Sequence, residues 1–108
     1  MTPHDDRVSV AQMLQFAQDL RNYTKGKRRE VAKEGMLRDA VLRKFEVFGE
    51  AAMRVSNEFK ARNPEVPWRR IINFRNVLIH AYDRLIGEEL LTALDALPEV
   101  VSKLKQAK

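Results

Sequence analysis

The sequence predicts an all-α fold, a four- to five-helix up-and-down bundle formed by residues 1–108 as a single domain. Three observations predict it. Apolar residues recur at three- and four-residue steps along most of the chain. No segment shows the two-residue alternation of a strand. Gly26, the Asn63-Pro-Glu-Val-Pro67 stretch, Gly87 and Pro98 cut the pattern into helix-sized lengths with short links.

The first helix is expected from about Asp6 to Tyr23, with Val10, Met13, Leu14, Ala17 and Leu20 on one face and Gly26 as its stop. Lys27 to Gly35 reads as a charged connector with at most one helical turn. The second helix is expected over Leu37–Arg62, carrying Leu37, Val41, Phe45, Phe48, Ala52, Val55 and Phe59 in a near-heptad seam. Gly49 and Ala51-Ala52 are small enough to let a neighbouring helix come close. Pro67 is placed to open a third helix, Trp68 to Ile79, fraying over His80 to Asp83. A fourth helix covers Glu88 to Leu94. Pro98 either kinks it or opens a short fifth helix, Glu99 to Lys105.

Composition narrows the function. Hydrophobic residues at 44% supply a core, which argues against a disordered chain. The absence of cysteine excludes a disulfide framework and a thiolate metal site. His4 and His80 lie far apart with no paired carboxylate motif, so neither a zinc site nor a cofactor is expected. There is no phosphate-binding glycine loop and no nucleophile elbow. No apolar run reaches the roughly 20 residues needed to cross a bilayer. The acidic start at Asp5 and Asp6 is unlike a secretory signal, and a cytoplasmic protein without a membrane role is the expectation. The net charge of +5 permits contacts with nucleic-acid phosphates. Basic residues gather at Lys25-Gly-Lys-Arg-Arg29 and at Arg69-Arg70, where a solvated surface explains them as well.

Arg75-Asn-Val-Leu-Ile-His-Ala-Tyr82 is the stretch that carries chemistry. It sets a permanent cation, an imidazole and a phenol among Ile71, Ile72, Phe74, Val77, Leu78 and Ile79. Burying an unpaired Arg costs several kcal/mol, so Arg75 needs a partner or a task. Arg with His is also the minimum set for cleaving a phosphodiester without metal: one holds the phosphate, the other moves protons. On an ideal helix Arg69, Asn73, Asn76 and His80 form a polar stripe, while Arg75 and Tyr82 fall among apolar neighbours. His80 lies about 140° from Arg75. Three geometries bring them together: the helix ends before His80 and turns it inward, Arg75 wraps round, or the site lies between two copies. The first and third together are favoured. Each residue also has a purely structural explanation. Arg75 would pair with Glu46 or Glu50, His80 would sit on the helix C-terminal dipole, and Tyr82 would be a core aromatic with its hydroxyl at the surface.

Pro67 to Tyr82 resembles the signature of HepT-like proteins, of the HEPN superfamily. Asn22-Tyr-Thr-Lys-Gly26, Asp39 to Ala52 (ending Gly-Glu-Ala-Ala) and Leu97-Pro98 resemble the same family, in the expected order. The resemblance implies a HEPN-like homodimer with the motif helices lining a cleft at the interface. It implies a metal-independent endoribonuclease, the toxin of a toxin–antitoxin pair of the type VII kind. The implied partner is a minimal nucleotidyltransferase (MNT) antitoxin that adds AMP to the motif tyrosine, here Tyr82. Glu88 to Leu94 departs from it in lacking a tryptophan, and the connector is more basic. On this view Arg75 and His80 are catalytic, Asn76 supports them, and Arg69 and Arg70 attract RNA. The competing reading is a non-catalytic helical module that binds nucleotides or recruits substrates to a separate nucleotidyltransferase.

Overall fold

The structure, a computed structural model, describes residues 5–80 and 86–108. Among these residues there are six helices and no strand: α1 Asp6–Thr24, α2 Arg28–Ala32, α3 Met36–Arg54, α4 Asn57–Arg62, α5 Trp68–His80 and α6 Ile86–Gln106. The expected all-α bundle is present. It holds more helices than expected because the connector and the end of the long second helix each form a short one.

α1 begins where Asp5 caps it, its carboxylate accepting from the Arg7 amide at 2.9 Å. It ends before Gly26, whose φ of 70° a side chain would strain. Its buried face is Ser9, Val10, Met13, Ala17 and Leu20, the expected stripe with Leu14 moved to the margin. α2 is held by Val31, which is wholly buried.

The expected Leu37–Arg62 helix is divided at Val55-Ser56. Val55 is extended, and Ser56 caps a new helix by accepting from the Phe59 amide at 3.1 Å. The Asp6 carboxylate fixes the break, accepting from the Ser56 amide at 2.8 Å and its hydroxyl at 2.7 Å. The apolar seam runs on through Val55 and Phe59, both buried, so periodicity alone does not reveal the interruption.

Pro67 precedes α5 as expected, and its carbonyl accepts the Ile71 amide at 3.0 Å. Trp68 is anchored by its indole N–H, which donates to the Asn63 carbonyl at 2.9 Å. Of the two outcomes expected at Pro98, the separate fifth helix does not form, and one helix, α6, continues through it. A proline inside a helix costs about 3 kcal/mol. Leu90 and Leu97 before it and Val101 and Leu104 after it are all buried on one face. Fully burying such side chains is worth about 1.5–3 kcal/mol each, which exceeds the cost.

α3 is the central element, with α1 packed along one side and α5 along another, while α6 closes over α1 and α2. Phe45 and Phe74 join α3 to α5 edge to face, their ring centroids 5.4 Å apart. Asn63 ties the chain terminus back, its side chain bonding both the Lys108 carbonyl and the Lys108 amide. No described helix is long and apolar enough to cross a membrane.

Candidate functional site

The site is built on the close approach of α3 and α5. Gly49, buried on α3, faces Arg75 on α5, and Gly49 leaves no side chain between the two backbones. That closeness lays the Arg75 side chain along α3 toward Glu50. Its Nη2 is 3.8 Å from Glu50 Oε1, a long ion pair, and its Nη1 donates to Asn76 Oδ1 at 2.9 Å. Its Nε is buried and has no hydrogen-bond partner among the described residues. The guanidinium is thus oriented without being saturated. Glu50, one of the two expected counter-charges, is the one in reach. Glu46 pairs instead with Arg43 at 3.1 Å, and Arg43 also lies 3.8 Å from Glu50.

His80 is the last residue of α5 and is exposed. The helix does not end before it, so the expected inward turn is absent. Within one chain His80 therefore stays about 140° round the axis and about 7.5 Å along it from Arg75. Asn76 shares the exposed stripe with Arg69, Asn73 and His80, as the sequence predicts, and it orients Arg75. Arg69 and Arg70 are exposed in the first turn of α5, about 15 Å along the axis from His80. They do not meet Arg75 or His80 within one chain. Tyr82 lies outside the described residues.

Beside this stripe, α5 and α6 diverge and leave a cleft of about 560 Å³. Phe45 and Phe48 of α3 line it together with Ile71, Phe74 and Val77 of α5 and Leu97 and Val100 of α6. Arg70 stands on the α5 side, Glu88 and Glu89 on the α6 side. Neither Arg75 nor His80 lines it. Its lining suits an apolar surface with charged edges rather than a phosphate. Sequence reasoning did not find this cleft, because it depends on where α6 lies relative to α5.

The ribonuclease HepT-like family profile matches residues 13–107. A putative RNase of Methanocaldococcus jannaschii is 32% identical over 107 residues, covering 98% of this chain and 95% of that protein. A probable ribonuclease HepT of Thermococcus cleftensis is 44% identical over 59 residues, 50% of this chain and 54% of its own. A putative RNase of Caldanaerobacter subterraneus is 32% identical over 81 residues, 71% of this chain and 72% of its own. No solved structure matches the chain significantly.

Proposed function

The chain belongs to the ribonuclease HepT-like family, and from that premise we propose that it is a metal-independent endoribonuclease acting as the toxin of a toxin–antitoxin pair. The observation that carries this reading is the state of Arg75. It is oriented by Asn76, only loosely paired with Glu50 at 3.8 Å, and keeps a quarter of its side chain exposed, five residues before an exposed imidazole.

In the proposed reaction His80 takes the proton of a ribose 2′-hydroxyl. The 2′-oxygen bonds to the adjacent phosphorus, and the phosphorus–O5′ bond breaks. The products are a 2′,3′-cyclic phosphate and a 5′-hydroxyl, whose oxygen takes up a proton. Arg75 stabilises the charge that builds on the non-bridging oxygens, a task suited to a planar fork of donors. Asn76 sets the fork's orientation. Arg69 and Arg70 draw the RNA backbone toward α5 from further off.

The working unit in this reading is a homodimer. One α5 presents Arg75 and His80 on different faces, so a second copy completes a groove between two motif helices. The apolar cleft supports such pairing. Val77 within it is 47% exposed, and Arg70 on one edge with Glu88 and Glu89 on the other makes the surface self-complementary. Neutralisation is assigned to an MNT-type nucleotidyltransferase antitoxin that adds AMP to Tyr82. The added anion, two residues from His80, would repel RNA phosphate and fill the groove.

The deciding experiment is expression of the chain alone. Growth arrest with RNA cleavage, both lost in His80→Ala while the helical circular dichroism is kept, is the expected result. Harmless expression with tight ATP binding would favour a nucleotide-binding module. Mass spectrometry after co-expression with the antitoxin should find AMP on Tyr82; an unmodified Tyr82 in a non-toxic complex would point to steric blocking.

A further inference from the structure

The basic connector between α1 and α3 is the one sequence feature that the proposed chemistry leaves unused. Lys25, Lys27, Arg29 and Lys33 are all exposed, and none of their side chains makes an ion pair or hydrogen bond among the described residues. The backbone that carries them is firmly seated. Val31 is wholly buried, and Arg28 grips Asp95 of α6 with both terminal nitrogens, at 2.5 and 3.2 Å. A β-carbon on Gly87 would come within 2.6 Å of the Ala32 carbonyl oxygen, so the end of α2 lies directly against the start of α6.

That contact fixes which end of the bundle the connector occupies. α3 and α5 run antiparallel, with Phe45 against Phe74 and, one turn on, Gly49 against the Ile71 carbonyl. His80 therefore points to the end where α3 starts, α1 stops and α2 docks. His80 and Gly87 are seven residues apart, so their Cα atoms lie within about 25 Å of each other. Glu30 and Glu34 are the carboxylates within Lys25–Gly35, against five cations, one of which Asp95 already pairs.

We propose that the Lys25–Lys33 connector is a second RNA-binding surface, which holds the single-stranded backbone flanking the scissile linkage as it leaves the Arg75–His80 region. This rests on the nuclease reading for the position of the scissile linkage, and it adds a contact outside the motif. Exposed, unpaired Lys and Arg on an anchored turn release counterions when they meet phosphates, so the surface contributes affinity without sequence preference. It sets how tightly a long strand binds and leaves the bond-breaking step unchanged.

The test compares the full chain with K25Q/K27Q/R29Q/K33Q and with a control, K60Q/R62Q/K105Q/K108Q, which removes equal charge from the opposite end of the bundle. Fluorescence anisotropy with a labelled 20-nucleotide single-stranded RNA reads affinity across a salt series. Single-turnover cleavage of the same RNA is measured in parallel. The connector variant is expected to bind at least tenfold more weakly at low salt. Its log–log salt slope should be shallower by about 2–3, since each single-strand phosphate contact contributes about 0.7. The control should stay within about twofold of wild type. Equal weakening by both variants means net charge alone and overturns the proposal, as does wild-type binding by the connector variant. If RNA binds through the connector and wild type cuts nothing, the nuclease reading fails and the binding surface stands.

Discussion

A β-carbon at Gly49 would lie 2.3 Å from the β-carbon of Arg75 and 2.9 Å from its Cγ, with the Ile71 carbonyl oxygen at 3.4 Å. The closer of the two, the Arg75 β-carbon, is fixed by the backbone, so no rotamer change relieves that contact. Gly49→Ala must therefore push α5 away from α3. Overpacking of this kind costs about 1–3 kcal/mol. Chemical denaturation should show a loss in that range, and cleavage should fall further than the change in folded fraction explains, because Arg75 moves with its helix. Unchanged stability would mean that the two helices are not this close.

Arg75→Lys keeps a charge but loses the planar fork that Asn76 orients. Cleavage is expected to drop at least tenfold with the fold retained. Glu50→Gln removes the nearby carboxylate, whose 3.8 Å separation from Nη2 makes it a weak partner. Stability should change by less than about 1 kcal/mol, as for other partly exposed pairs. A stability loss above that in Glu50→Gln would make Arg75 a structural ion pair first.

Ser56→Ala removes the cap of α4 and one of the two bonds to Asp6. Caps of this type are worth about 0.5–2 kcal/mol. The midpoint of denaturant unfolding should move accordingly. RNA cleavage per folded molecule should not change, since Ser56 lies at the far end of the bundle from His80.

Pro98→Ala restores the amide that the Leu94 carbonyl lacks and adds a better helix former at an exposed position. The variant should melt several degrees higher. A lower melting temperature would show that Pro98 itself is needed to set Leu97 and Val101 against the core.

Much of this molecule was legible in its sequence, for identifiable reasons. The α1 face of Val10, Met13, Ala17 and Leu20 is buried because a 3.6-residue repeat leaves it one place to go. The exposed stripe of Arg69, Asn73, Asn76 and His80 follows from the same arithmetic on α5. Where the reading went astray, a non-local contact was responsible. Asp6 breaks the long helix at Ser56 from fifty residues away. At Pro98, where the sequence leaves a continued or a separate helix open, burial of Leu90, Leu97 and Leu104 on a shared face decides for one continuous α6.

The order of apolar and polar residues by itself determined the helical class, the amphipathic faces and the clustering of Arg75, His80 and Tyr82 in one short segment. Helical periodicity is local, and it needs only neighbours three and four places away. Tertiary structure alone decided that Glu50 rather than Glu46 answers Arg75, that His80 stays helical and outward-facing, and that an apolar cleft opens between α5 and α6. Those outcomes depend on the distance and tilt between helices, which packing of Gly49 against Arg75 and of Val31 into the core sets, and which no spacing along the chain encodes.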